Sequence, residues 1–102
     1  MFKNPYVSLD GVLKEAREQS SSGKGKARHA DEGEAFEDQP IIWIERYFSS
    51  YQLGQAVKKI HESQRLKTDQ AVQELLGAIN YIAARIIFLR KEDARRKDNE
   101  SG

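Results

Sequence analysis

A chain of 102 residues, 38% apolar and 32% charged, supplies material for one small domain with a thin core. Its formal charge of +1 argues against wholesale attraction to nucleic acid or to an anionic membrane and leaves only local clusters to consider. The absence of cysteine removes disulfides, thiolate catalysis and cysteine-based zinc sites together, and fits a cytoplasmic protein.

Residues 1–19 read as an extended segment and a short helix. Ser8 is placed to cap that helix, which runs to about Gln19 with Leu9, Val12, Leu13 and Ala16 on one face. Gly11 weakens it, and three turns with a glycine are marginal alone, so it is expected to pack loosely on the hairpin, to pack on another subunit or to stay partly disordered. Residues 20–37, SSSGKGKARHADEGEAFE, are dominated by Ser, Gly and charge and read as a flexible linker. The run Gly23-Lys24-Gly25-Lys26 fails as a phosphate-binding loop, because neither lysine precedes Ser or Thr and no glycine stands five residues earlier.

Residues 38–91 are the expected core. Asp38 is placed to cap a short helix with Pro40 in its first turn. Ile41, Ile44, Tyr47 and Phe48 share one face of it while Ile42 and Trp43 lie off that face, which predicts burial on two sides. Ser49 and Gln52 resemble a capping box that starts a helix from Tyr51 to about Arg65. In that helix Leu53, Ala56, Val57 and Ile60 are expected to face inward, and Gln55, Lys58, Lys59, Glu62 and Arg65 outward. Leu66-Lys67-Thr68 makes a turn, with Thr68 as cap and Asp69 well placed at the start of the last helix.

The last helix is predicted from about Asp69 to Arg96. Its stripe Val72, Leu75, Ile79, Ile82, Ile86 and Leu89 alternates steps of three and four, widened by Leu76, Ala83 and Ile87. Gly77, Ala78, Ala83 and Ala84 are small enough for close helix approach. Residues 92–102 read as a disordered charged tail. The predicted fold is all-α, with short helices packed on a long C-terminal helical hairpin. The stripe is wider than one short helix covers, so a homo-oligomer joined through the last helix is expected over a monomeric three-helix bundle. No window approaches the roughly 18 consecutive apolar residues of a membrane span, and MFKNPYVSLDG lacks the apolar run of a signal peptide. No membrane role is expected.

Chemistry-bearing residues are few. His29 and His61 are the only histidines and lie in the linker and on a helix, a poor basis for a metal site. Glu62 and Glu74 could hold magnesium across the hairpin, as paired acidic residues do in all-α nucleotide pyrophosphohydrolases. The Glu-Glu-x-x-Glu pattern is absent, and solvated carboxylates are the alternative. Lys58, Lys59, Arg65 and Lys67 crowd one helix end and the turn, Arg85 lies on the partner helix, and Tyr51 or Tyr81 could stack on a base. Such a set suits the phosphates and ring of a nucleotide; the alternative is a solvated basic face with pairs such as Lys58 and Glu62.

The order His29, Gly33, Phe36, then Leu53-Gly54-Gln55-Ala56-Val57-Lys58, then Glu74-Leu75 and Ala78-Ile79-Asn80-Tyr81-Ile82 resembles a family of small phage-encoded proteins described as SaV-like or phage nucleotide kinase. The matching positions are His29, Gln55, Lys58, Glu74 and Tyr81. The chain departs from the family at Lys59, at Glu62 to Arg65 and at Leu76-Gly77, and those departures bear on catalysis rather than on fold. The resemblance implies an oligomeric, phage-type helical protein that binds nucleotides in the host cytoplasm. A deoxynucleoside monophosphate kinase using magnesium and ATP is one form it could take. Glu74-Leu75 through Ala84-Arg85 also resembles the hairpin of phage anti-defence proteins that sequester cyclic nucleotides as oligomeric sponges. A third expectation is a protein-interaction adaptor working through Trp43, Tyr47 or the N-terminal helix.

Overall fold

The computed structural model describes residues 3–22 and 33–101, and among these the chain forms helices and turns with no strand. Helix α1 spans Val7–Ser22, α2 Pro40–Trp43, α3 Tyr51–Ser63 and α4 Thr68–Ser101. The short 3-10 turns Phe36–Asp38 and Ile44–Arg46 flank α2. The all-helical expectation, with a long C-terminal helix packed on the others, is met.

Helix α1 starts earlier than Ser8 implies. The Tyr6 N–H donates to Asn4 Oδ1 at 2.9 Å and Asn4 Nδ2 donates to Asp10 Oδ2 at 2.9 Å, so Asn4 organises the entry and Ser8 lies inside the helix. The helix also runs through Ser20–Ser22, the first residues of the expected linker, where the Ser21 and Ser22 hydroxyls donate back to the Glu18 carbonyl. Most of the linker, His29 included, lies outside the described residues.

Around α2 the boundaries shift by one residue for a steric reason. A residue before proline is pushed into extended backbone, so Gln39 (φ −75°, ψ 156°) becomes the helix boundary and Asp38 ends the preceding 3-10 turn. After one turn of α-helix the backbone tightens to 3-10 geometry, which changes the side-chain period. The face that results is Ile41, Ile42 and Glu45, all buried. Trp43, Tyr47 and Phe48 are exposed instead, so the expected face Ile41-Ile44-Tyr47-Phe48 does not form.

Ser50 enters α3 in left-handed backbone (φ 65°) with no side-chain cap bond, and the expected Ser49–Gln52 box is replaced by an external cap. Glu45 Oε2 accepts the Gln52 N–H at 3.2 Å. Gln52 itself is fully buried and donates from Nε2 to the carbonyl oxygens of Ile41 at 2.8 Å and Ile42 at 3.3 Å.

Helix α4, 34 residues and therefore about 51 Å long, runs antiparallel to α3. The core between them is Ala56, Ala78, Tyr81 and Ala84 with Ile41 and Ile42, flanked by Phe36, Tyr51, Ile87 and Phe88. The small residues do permit close approach: a Cβ on Gly77 would sit 3.0 Å from Lys59 Cδ. This contact line explains the main departure from expectation. The α3 surface facing α4 carries Gln52, Ala56 and the stem of Lys59, while Leu53, Val57 and Ile60 remain 43%, 66% and 44% exposed. On α4, likewise, Val72, Leu75, Ile82, Ile86 and Leu89 are 41–50% exposed. By length and composition alone α4 would be apolar enough to cross a membrane, a test that core helices also pass.

Helix α1 crosses the other flank of α4. Ala16 is buried there, Gln19 Nε2 donates to the Gln73 carbonyl at 2.9 Å, and Asn80 Nδ2 donates to the Ala16 carbonyl at 2.9 Å.

Residues 92–101, assigned from the sequence to a disordered tail, continue α4 as a ladder of ion pairs: Glu92–Arg95 at 2.6 Å, Asp93–Arg96 at 2.7 Å and Asp93–Lys97 at 3.0 Å. Hydrogen bonding from Arg95 holds the Glu92 carboxyl below its ordinary value, and bonding from Lys97 does the same for Asp93. Both folded values lie below the unfolded ones, so this support is full above the ordinary carboxylate range and is lost as pH falls through the depressed values. Acidification below about pH 4 is therefore expected to unwind these last turns before the hairpin melts. Cα chemical shifts of Glu92–Lys97 followed against those of Ala78–Ala84 check this; simultaneous loss of both segments counts against it.

Candidate functional site

Two ion pairs hold Lys59, Glu74 and Arg85, and Lys58, Arg65 and Lys67 remain as exposed cations. The first pair lies where α2 and its following turn meet the hairpin. Glu45, with a side chain only 2% exposed, receives Arg85 Nη1 at 2.7 Å on Oε1, while its Oε2 takes the α3 backbone N–H. The Arg85 guanidinium also sits 5.8 Å above the Phe88 ring. One carboxylate thus joins three segments, and Arg85 is committed to it. Gln52 packs beside this pair. Its Oε1 is buried without a hydrogen-bond partner, and exchanging the amide's O and N would set oxygen against the Ile41 and Ile42 carbonyls.

The second pair, Lys59–Glu74 at 3.5 Å, ties α3 to α4 above Gly77, with both side chains under a third exposed. Glu74 is therefore held by a lysine, and Glu62 lies exposed on α3. Among the described residues no three His, Cys, Asp or Glu side chains gather in a way that could hold a metal ion. Tyr81 is 8% exposed and meets Tyr51 edge-on at 6.2 Å, so its ring is part of the core rather than a surface for stacking.

The expected cationic set divides accordingly. Arg85 lies about 25 Å along α4 from the turn that carries Lys67. Arg65 and Lys67 are exposed in the connection that closes the hairpin, and Lys58 is exposed on α3 five residues before that helix ends. Among the described residues none of the three has a carboxylate within ion-pair distance, and Arg65 Nη2 instead lies 3.3 Å from His61 Nε2. This end of the hairpin thus mixes Arg65, Lys67 and the more distant Lys58 with the exposed carboxylates Glu62 and Asp69.

Two features of the site escaped the sequence. Glu45 is the single carboxylate in the apolar run Pro40–Phe48, and that isolation was the available signal for a buried, paired acid. Gln52 was concealed by its fit to a capping box. The exposed aromatics form a second surface feature: Trp43 and Tyr47 meet edge-on at 6.0 Å, with Phe48 63% exposed beside them in sequence. A depression of about 500 Å³ is lined by Leu89, Glu92, Asp93, Arg95, Arg96 and Asn99, all from α4, so it is a helix surface rather than a cleft.

No protein-family model, curated protein or solved structure matches this chain.

Proposed function

We propose that this chain is a small phage-type nucleotide-binding protein that works as a homo-oligomer, taking nucleotide phosphates at the closed end of the α3–α4 hairpin. The observation that carries the reading is the division of the cations. Lys59 and Arg85 are held by Glu74 and Glu45, whereas Lys58, Arg65 and Lys67 are exposed with no carboxylate within ion-pair distance among the described residues. Exposed cations that form no ion pair offer charge to a multiply charged anion, against the exposed carboxylates Glu62 and Asp69 in the same stretch, and arginine adds bidentate geometry toward phosphate. The start of α4 at Thr68 adds free backbone N–H groups to the same end. Binding without turnover is the favoured form. A kinase needs magnesium ligands, and Glu74 would first have to leave Lys59.

Isothermal titration with deoxynucleoside monophosphates, ATP and cyclic dinucleotides tests the proposal. Wild type is expected to bind at least one, and the triple variant Lys58→Glu, Arg65→Glu, Lys67→Glu to lose at least tenfold in affinity. No heat from wild type with any ligand, or unchanged binding by the triple variant, overturns it. Incubation with magnesium and ATP then separates the forms: ligand recovered unchanged means sequestration, and a phosphorylated product means kinase activity. A second reading, an adaptor that docks through Trp43, Tyr47 and Phe48, rests on the 44–73% exposure of these neighbouring aromatics.

A further inference from the structure

The largest feature that phosphate binding leaves unused is the open side of the hairpin. At about 100° per residue, Leu53, Val57 and Ile60 lie to one side of the Gln52–Ala56–Lys59 line that faces α4. For two antiparallel helices, the α4 stripe falls on that same side of the hairpin, opposite the flank carrying α1. Two helices with apolar stripes on one shared side are half of a four-helix bundle.

We infer that this side docks on the same side of a second copy, α4 against α4 in antiparallel orientation, to close a two-fold four-helix bundle. The inference deepens the oligomeric part of the reading above and is independent of what binds the hairpin end. Three observations select a second copy. The stripe Val72, Leu75, Ile79, Ile82, Ile86, Leu89 has steps of three, four, three, four and three, which read the same from either end. A two-fold axis through its centre therefore sets Val72 on Leu89, Leu75 on Ile86 and Ile79 on Ile82, matching every member in one register. The next positions outward are Thr68 and Asp93, so the apolar contact ends in polar residues on both sides.

Area is the second observation. These six residues and the three from α3, most of them 41–66% exposed, present on the order of 600–700 Å² of apolar side chain, close to the roughly 800 Å² per partner of a standard interface. The third is that the chain's own N-terminal helix is already engaged elsewhere. Asn80 and Gln73 hold α1 on the opposite flank, so it does not cover this side.

Light scattering on size-exclusion chromatography, without nucleotide, gives the first reading. Wild type is expected at twice the chain mass of 11.7 kDa and Ile82→Asp at the chain mass with an unchanged helical circular-dichroism spectrum. Cysteine scanning supplies a reading that does not depend on the aspartate variant folding, because the chain has no cysteine of its own. A mixture of Val72→Cys and Leu89→Cys is expected to form an interchain disulfide on oxidation. Leu89→Cys alone is not, since equivalent positions would lie about 25 Å apart, beyond the roughly 7 Å Cα separation a disulfide spans. A monomeric wild type, a folded Ile82→Asp dimer, or self-linking of Leu89→Cys above the mixture each overturns the inference. So does a monomer that floats with anionic lipid vesicles, which would make a bilayer the occupant. Nucleotide titration failing while the dimer persists would instead remove only the phosphate-site reading.

Discussion

Arg85→Met is expected to lower stability by about 3–4 kcal/mol, because it leaves the Glu45 carboxylate buried without its cation. For a chain of this size that corresponds to a fall in Tm of roughly 12–25 °C, read by thermal circular dichroism. Methionine retains most of the arginine stem over Phe88, so the loss isolates the charge rather than the packing. Glu45→Gln keeps an oxygen for the Gln52 N–H and is expected to cost only about 1–2 kcal/mol. Combining the two should cost less than their sum, since no uncompensated charge remains. An Arg85→Met variant within 1 kcal/mol of wild type would show that Glu45 finds water or another donor, and the joint at α2 would then need a different explanation.

Gln52→Ala is the second large effect. It removes a side chain with no exposure, opens a void and takes the donor away from two carbonyl oxygens, for a combined loss of about 2–4 kcal/mol. Gln52→Leu restores the volume and removes the partnerless Oε1 along with the donor, so it is expected to lose only about 1–2 kcal/mol. Urea denaturation of both variants separates the contributions. A leucine variant as unstable as the alanine one would mean that the hydrogen bonds, not the filled volume, hold α2 on the hairpin.

These two residues also show where the sequence stops being legible. The long helix and the small-residue contact at Gly77–Ala84 follow from apolar period and side-chain size, which are local properties, while the turn expected at Leu66–Thr68 lies at 64–67 because α3 ends at Ser63. The inward face of α3 does not follow. Periodicity identifies Leu53, Val57 and Ile60 as an apolar stripe, yet it carries no information about which neighbour covers that stripe, and the intrachain contact uses Gln52, Ala56 and Lys59. The start of α2 moved because proline constrains the residue before it, a rule that outweighed the acidic cap at Asp38. For the candidate site, the sequence identified Lys58, Arg65 and Lys67 together with Lys59 and Arg85. Their separation arises from partners, Glu74 and Glu45, contributed from positions 15 and 40 residues away, which spacing within one helix does not reveal.

The attachment of α1 has a kinetic consequence. Its hydrogen bonds join residues 54 to 64 positions apart, and a single buried side chain, Ala16, supports them. Loop-closure entropy opposes such a contact, although it grows only slowly with loop length, and little apolar burial compensates for it. By contrast, the α3–α4 hairpin closes over a four-residue connection. Apart from the fraying end of α4, α1 is therefore expected to detach as a sub-global unit, taking the Asn80 amide contact with it, before the hairpin itself opens.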